Sequence, residues 1–364
     1  MNFQKLEKYI DRIEVEGAPF AGIKVVYKGK MVFEKIFGKK DDGTDADYND
    51  LFFMYSSTKV VTAVAAMQLV EQGKIGLDEP VYKYIPEYKN LVVGKERIPA
   101  KNTLTVRHLL SMTSGYGYDF NAENLKKACG NKNASTIEVV REMAKDYLHF
   151  EPGEKFEYGF GLDIIGAVIE VVSGMTYGEY VKKNIFEPLE MNDSTYQVDQ
   201  NIKDRLLPQY RYNSQTKAFE PERKENVFIL TDAFESGGAG LISSIDDYIR
   251  LVKALANYGA ADNGYMLLKP SSIDLMREDN LGDKVKDFFK PDYSYGLGVR
   301  TLINKENSKS PLGEFGWDSA ACAYSMIDVD NNLGLFYGCH TLGWDNGYAH
   351  HCNIRDLVYE SLGI

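Results

Sequence analysis

Several features are scarce in this 364-residue sequence, and each scarcity removes a class of function. Four cysteines (Cys129, Cys322, Cys339 and Cys352) are too few and too scattered to scaffold a chain of this length with disulfides. Basic runs grow no longer than Gly38-Lys39-Lys40 or Leu125-Lys126-Lys127, and 42 Lys+Arg against 53 Asp+Glu leave a formal charge of −11. Nucleic acid and anionic membrane surfaces are therefore not expected as partners, because counterion release needs clustered cations. The longest mostly apolar stretch, Val60 to Val70, is about half of the ~20 residues that cross a bilayer. No Gly-x-Ser-x-Gly elbow, no Gly-Lys-Ser/Thr phosphate loop and no His-Glu-x-x-His occurs, which removes three common catalytic frameworks. Internal repeats and low-complexity tracts are absent too.

What is present is an ordinary globular composition, 44% hydrophobic and 26% charged, on a chain longer than the roughly 250–300 residues one core supports. Near the start, Phe3, Leu6, Ile10 and Ile13 fall at helical spacing among charges, the pattern of an amphipathic surface helix and not of a signal peptide. With so few cysteines, this makes the cytoplasm the expected location. Ala21–Tyr27 and Met31–Phe37 flank Lys28-Gly29-Lys30 as a β-hairpin. Ser56 to Gln72 reads as a helix with a stripe of Val60, Val61, Val64, Met67 and Val70, ended by Gly73.

Residues 103–190 carry mostly helical signals. Ser135–Glu138 and Thr176–Glu179 match the capping box, and a helix over Gly161–Val172 is stopped by Ser173-Gly174. Beyond about residue 225, strand-like runs return at Gly240–Ser243, Gly296–Leu302, Tyr324–Asp328 and Leu333–Cys339, with helices near 245–258, 270–279 and 350–362. The expected fold is α/β of the α+β type: an antiparallel sheet flanked by helices, built from residues 1–75 and 225–364, with a mainly helical insertion at 76–224.

Ser56-Ser57-Thr58-Lys59 is the most informative short motif. A serine at the first turn of a helix sits where backbone N–H groups favour negative charge, and a lysine three positions on shares its face. If burial lowers the lysine pKa, the neutral amine can take the serine proton. Ser214-Gln215-Thr216-Lys217 has the same spacing in a polar stretch where a turn is the natural reading, so spacing alone does not decide. A capping serine with an exposed lysine one turn later explains Ser56 equally well from the residues alone.

The stretch opening Phe52-Phe-Met-Tyr-Ser-Ser-Thr-Lys59 closely resembles the nucleophile region of the class C β-lactamase family, which includes β-lactamases, D-alanyl-D-alanine peptidases and related carboxylesterases. Thr105–Gly115, Pro152–Tyr158, Phe186–Met191, Ser236–Leu241 and Tyr295–Gly298 resemble further family segments in family order. The resemblance implies a β-lactamase/transpeptidase-like fold with the site between its two regions. It also implies Ser56 as nucleophile and Lys59 and Tyr158 as acid–base partners. The family's second motif, tyrosine then asparagine two residues on, reads Tyr158-Gly159-Phe160. The phenol beside an ammonium can drop below its usual pKa of about 10 and relay protons; a carbonyl-bonded core tyrosine is the competing reading. Phe160 departs from the family carboxamide that holds a substrate amide.

The third motif falls at Phe315-Gly-Trp-Asp-Ser-Ala-Ala321. Trp317 is similar to the esterase variant, Ser319 stands where glycine is usual, and the resemblance implies that the N–H of Ala320 joins that of Ser56 as an oxyanion donor. A core aromatic is the competing reading for Trp317. With Trp317 and Phe160 at positions where relatives place a cation and an amide, an uncharged ester is favoured over a β-lactam or D-alanine peptide by on the order of 1–3 kcal/mol per missing contact. The resemblance thus points to a serine carboxylesterase or transesterase acting on a small-molecule ester or amide without cofactor or metal. The rivals are a β-lactamase or D-amino-acid-specific peptidase, and a non-catalytic ligand-binding protein on the same fold. Cys339-His340 and His350-His351-Cys352 match no common zinc spacing.

Overall fold

The computed structural model describes residues 1–284 and 291–364. The amphipathic start forms α1 (Gln4–Val15), which buries Leu6, Ile10 and Ile13 on one face. Next come β1 (Phe20–Tyr27) and β2 (Lys30–Gly38), paired antiparallel with a register shift at Val25/Val26. Lys28 and Gly29 both take positive φ, 49° and 75°, as a tight two-residue hairpin turn requires. Ser56 does not begin an α-helix directly: a 3₁₀ turn, Tyr55–Ser57, leads into α2 (Thr58–Glu71). The expected stripe is also too narrow, because α2 is buried on every side along most of its length. A helix apolar all round belongs in the interior.

Helices prevail between Val106 and Phe186. Thr176 and Glu179 exchange both capping-box bonds, and α3 (Gly161–Ser173) stops at Gly174 in the left-handed conformation. One departure is the hairpin Gln209–Asn213/Ala218–Glu222, in a stretch read as polar turn; Ser214–Lys217 is the exposed turn at its tip. Thr341–Leu342 adds to it in parallel.

The C-terminal third supplies α4 (Ile245–Ala256), β3 (Tyr293–Tyr295), β4 (Arg300–Leu302), β5 (Phe315–Gly316), β6 (Tyr324–Asp328), β7 (Leu333–Cys339) and α5 (Asp345–Leu362). The main sheet runs β2-β1-β7-β6-β5-β4-β3 with every pair antiparallel. Ile242–Ser243 is not part of it and pairs instead with Phe52–Phe53.

Both faces of the sheet are covered. One apolar cluster joins α1 and α5 to it, and a larger one joins α2, α3 and α4 to the other face. Gly22 and Gly338 are register partners, and a Cβ on them would lie 2.5 and 2.8 Å from the Ile245 side chain. Only glycine there lets α4 sit so close to the sheet. Among the described residues, no single helix is long and apolar enough to cross a membrane.

Candidate active site

The chain reaches Ser56 through a tightly held turn. Phe52–Phe53 is paired with Ile242–Ser243, the Met54 N–H donates to the Leu241 carbonyl at 2.9 Å, and the Leu241 N–H donates to Thr58 Oγ1 at 3.0 Å. Tyr55 is pressed into positive φ, 44°, a conformation costing a non-glycine residue about 1–3 kcal/mol. Its buried hydroxyl donates to Gln209 Oε1 at 2.7 Å, which ties the turn to the added hairpin. Ser56 thereby sits at the head of α2 on the wall of a cavity of about 500 Å³.

Lys59 is fully buried one turn later. Its Nζ lies 3.5 Å from Ser56 Oγ, 3.0 Å from the Tyr118 hydroxyl and 2.7 Å from the Gly238 carbonyl oxygen. Burial lowers its pKa to about 7, against a smaller upward pull from the carboxylate of Asp163. Asp163 is itself buried and accepts from Ser236 Oγ at 2.5 Å and the Gly238 N–H at 3.1 Å. The carboxylate thus binds Gly238 on its N–H side while the lysine binds the carbonyl side, so the two charges do not form a contact pair.

Tyr158 lies across the cavity wall from this amine, with Lys59 Nζ 4.5 Å from its ring centroid. Its hydroxyl accepts from Trp317 Nε1 at 3.0 Å and has the Ser56 side chain beside it. The expectation that this phenol drops below its usual pKa is corrected: burial pushes it up, outweighing the downward pull of Ser56 and Trp317. It holds its proton.

Trp317 lines the cavity, stacked on Tyr158 with centroids 5.5 Å apart. The strand ends at Gly316, so Trp317–Ala320 belongs to the loop that follows. That loop is braced by the Ser319 N–H on the Ala323 carbonyl at 2.8 Å, and by the Ala321 N–H on Ser319 Oγ at 3.1 Å. Ser319 and Ala320 both line the cavity. Among the described residues, no acceptor engages the N–H of Ser56 or of Ala320.

Phe160 does not line this cavity. It is buried beneath Tyr118, ring centroids 4.8 Å apart, and beside Phe120. Tyr118, not residue 160, brings a polar group to Lys59. Nothing local announces Tyr118, one of 25 tyrosines, and Asp163 lies within an otherwise apolar helix run. The corner made by Arg300, Asp318 and His351 was likewise missed; all three line the cavity. Of the histidines set aside as zinc ligands, His340 is buried beside the rings of Phe52 and Phe53, and His350 bonds the Tyr9 hydroxyl at 2.9 Å.

Several known proteins resemble this chain over most of its length. Lovastatin esterase of Penicillium rubens is 27% identical over 84% of each chain. Esterase EstB of Burkholderia gladioli is 26% identical over 90% of this chain and 80% of its own. The solved structure of EstCE1, described as a hydrolase with promiscuous acyltransferase activity, superposes with a TM-score of 0.84 at 22% identity, over 98% of this chain and 99% of that one. The family model described as Beta-lactamase matches residues 6–357, and the protein is a serine hydrolase of the beta-lactamase family.

Proposed function

We propose that the protein is a carboxylesterase or transesterase that works through an acyl-enzyme on Ser56. The observation that carries this reading is the buried amine of Lys59, within reach of Ser56 Oγ and held by a carbonyl and a phenol without a contacting carboxylate. An amine with a pKa of about 7 is half neutral at neutral pH, and its lone pair can accept the serine proton.

Ser56 Oγ then attacks the ester carbonyl. The oxyanion is received by the N–H groups of Ser56 and Ala320, and collapse expels the alcohol. The leaving alkoxide takes back the proton held on Lys59, with the Tyr158 hydroxyl as relay. Tyr158, which keeps its own proton, serves as donor here and not as the resting base. Water, or a second alcohol, repeats the sequence in reverse to release the acyl group.

An ester is favoured over a β-lactam or a D-alanine peptide by the character of the wall. Around Ser56 the cavity offers Tyr118, Tyr158, Phe228, Trp317 and Tyr348. The guanidinium of Arg300 is already bonded to two carboxylates, so it does not replace the cation that holds a substrate carboxylate. The test is hydrolysis of p-nitrophenyl butyrate by the wild type and by Ser56→Ala, together with intact-mass detection of a fluorophosphonate adduct. Turnover that survives Ser56→Ala refutes the acyl-enzyme. A serine that never labels favours a binding protein, and a chromogenic cephalosporin processed more efficiently than the ester favours a β-lactamase.

A further inference from the structure

The wall that carries Trp317 continues into Asp318, where the cavity changes character. Arg300 Nη1 donates to Asp318 Oδ1 at 2.8 Å, and its Nη2 donates to Glu314 Oε1 at 3.0 Å and to the Ser325 carbonyl at 3.1 Å. The guanidinium also lies 4.6 Å from the Tyr324 ring centroid. These three charged side chains are not equally accessible: Asp318 is 38% exposed, Arg300 5% and Glu314 not at all. Asp318 is the most exposed of the three, burial raises the pKa of Glu314, and Arg355 behind them is matched by Asp356 at 2.8 Å. The sign presented to the cavity is therefore the carboxylate's.

His351, on α5, adds a second and independent observation. Its Nε2 faces the Cys322 carbonyl at 2.9 Å. A carbonyl can only accept, so Nε2 carries the proton and Nδ1 of the neutral ring is an acceptor. Burial lowers the imidazole to about 4, so the ring is neutral at pH 7. Nδ1 lies 3.7 Å from Asp318 Oδ1, and among the described residues it has no hydrogen-bond partner. The side chain is 4% exposed. Two acceptors thus face each other in the cavity that contains Ser56. A buried acceptor left unmatched costs about 1–3 kcal/mol, and a single donor placed here serves both.

We propose that this corner is a substrate subsite for a hydrogen-bond donor, an alkylammonium ahead of a hydroxyl, and that it turns carboxylates away. The inference rests on the acyl-enzyme reading and deepens it by naming a substrate class: esters that carry an amine or hydroxyl on the part lying against Asp318. Arg300 and Glu314 are positioning residues: Arg300 holds Asp318 Oδ1, the oxygen that also faces His351 Nδ1, and Glu314 holds Arg300.

The experiment is competitive inhibition of p-nitrophenyl acetate hydrolysis at pH 8, where Lys59 is mostly neutral, by n-pentylammonium, 1-pentanol and pentanoate. The expected order of affinity is pentylammonium, then pentanol, then pentanoate, with at least tenfold between the two ions. In Asp318→Asn, which keeps an acceptor oxygen and loses the charge, the ratio between the ions shrinks to within about threefold. Ratios taken on one preparation cancel any change in folding or in serine chemistry. Equal inhibition by the two ions, preference for pentanoate, or a ratio that Asp318→Asn leaves unchanged overturns the subsite. Repeating the series in Ser56→Ala by thermal shift separates the two claims. A dead variant with the same order of binding supports both, a dead variant without it overturns the subsite alone, and an active variant overturns the acyl-enzyme.

Discussion

Two cations, Lys59 and Arg300, are buried beside the same cavity, and their surroundings treat them in opposite ways. Lys59 is given a carbonyl, a phenol and a serine hydroxyl, and desolvation draws its pKa down to about 7. Arg300 is given two carboxylates at contact distance, and their pull keeps the guanidinium charged despite burial. Residue chemistry reinforces the contrast, because an ammonium can surrender its proton when buried while a guanidinium cannot. Burial alone therefore does not tell a reactive cation from a fixed one. What decides is whether an anion stands at contact distance: Asp163 is separated from Lys59 by Gly238, whereas Asp318 touches Arg300.

The largest test of this contrast is Lys59→Arg, which keeps the charge and removes the chance of neutrality. Ester kcat/KM is expected to fall by on the order of a thousandfold, and a variant retaining a tenth of wild-type activity would show that no neutral amine is needed. Next in size is Arg300→Met, which leaves Glu314 and Asp318 without their counter-charge. Chemical denaturation is expected to register a loss of about 3–5 kcal/mol, and a loss below about 1 kcal/mol would mean that the corner is not held by charge pairing.

A smaller effect is the pH dependence. On the proposed mechanism the neutral amine is the active form, so kcat/KM should rise about tenfold per unit up to roughly pH 7 and then level. A profile flat from pH 5 to 9 would remove Lys59 as the titrating base. The smallest is the internal control: Ser214→Ala, in the exposed hairpin turn with the same Ser-x-x-Lys spacing, is expected to change stability by less than about 0.5 kcal/mol and to leave ester turnover unaltered.

The same contrast sets how much of the site is legible in the sequence. Ser56 and Lys59 are three residues apart on one helix, so helical geometry alone places them together. The order of family-like segments then carried the fold. Tyr118 and Gly238 meet Lys59 across 59 and 179 residues of chain, and no local period encodes such a meeting. Phe160 stands at the motif position of a substrate-holding amide, yet its ring is packed under Tyr118. His351 drew notice as a possible metal ligand, whereas the geometry makes it a lone acceptor. The hairpin at 209–222 was missed because its strands are largely half-exposed or exposed, which leaves little apolar alternation to find.

The order of strands in the main sheet bears on how the chain is made. β1 lies between β2 and β7, and its register joins Ala21 to Cys339 and Tyr27 to Leu333. During synthesis the first hairpin must wait about 300 residues for the strand that covers its inner edge, whereas the helices of the insertion close mostly on near neighbours. Such long-range pairing slows folding and leaves an unpaired edge exposed meanwhile. The loop bearing Ala320 leads directly into the last strands of that sheet. A nascent chain therefore carries Ser56 and Lys59 long before it has the loop bearing Ala320, and on the proposed mechanism the serine is not armed until the C-terminal strands have docked.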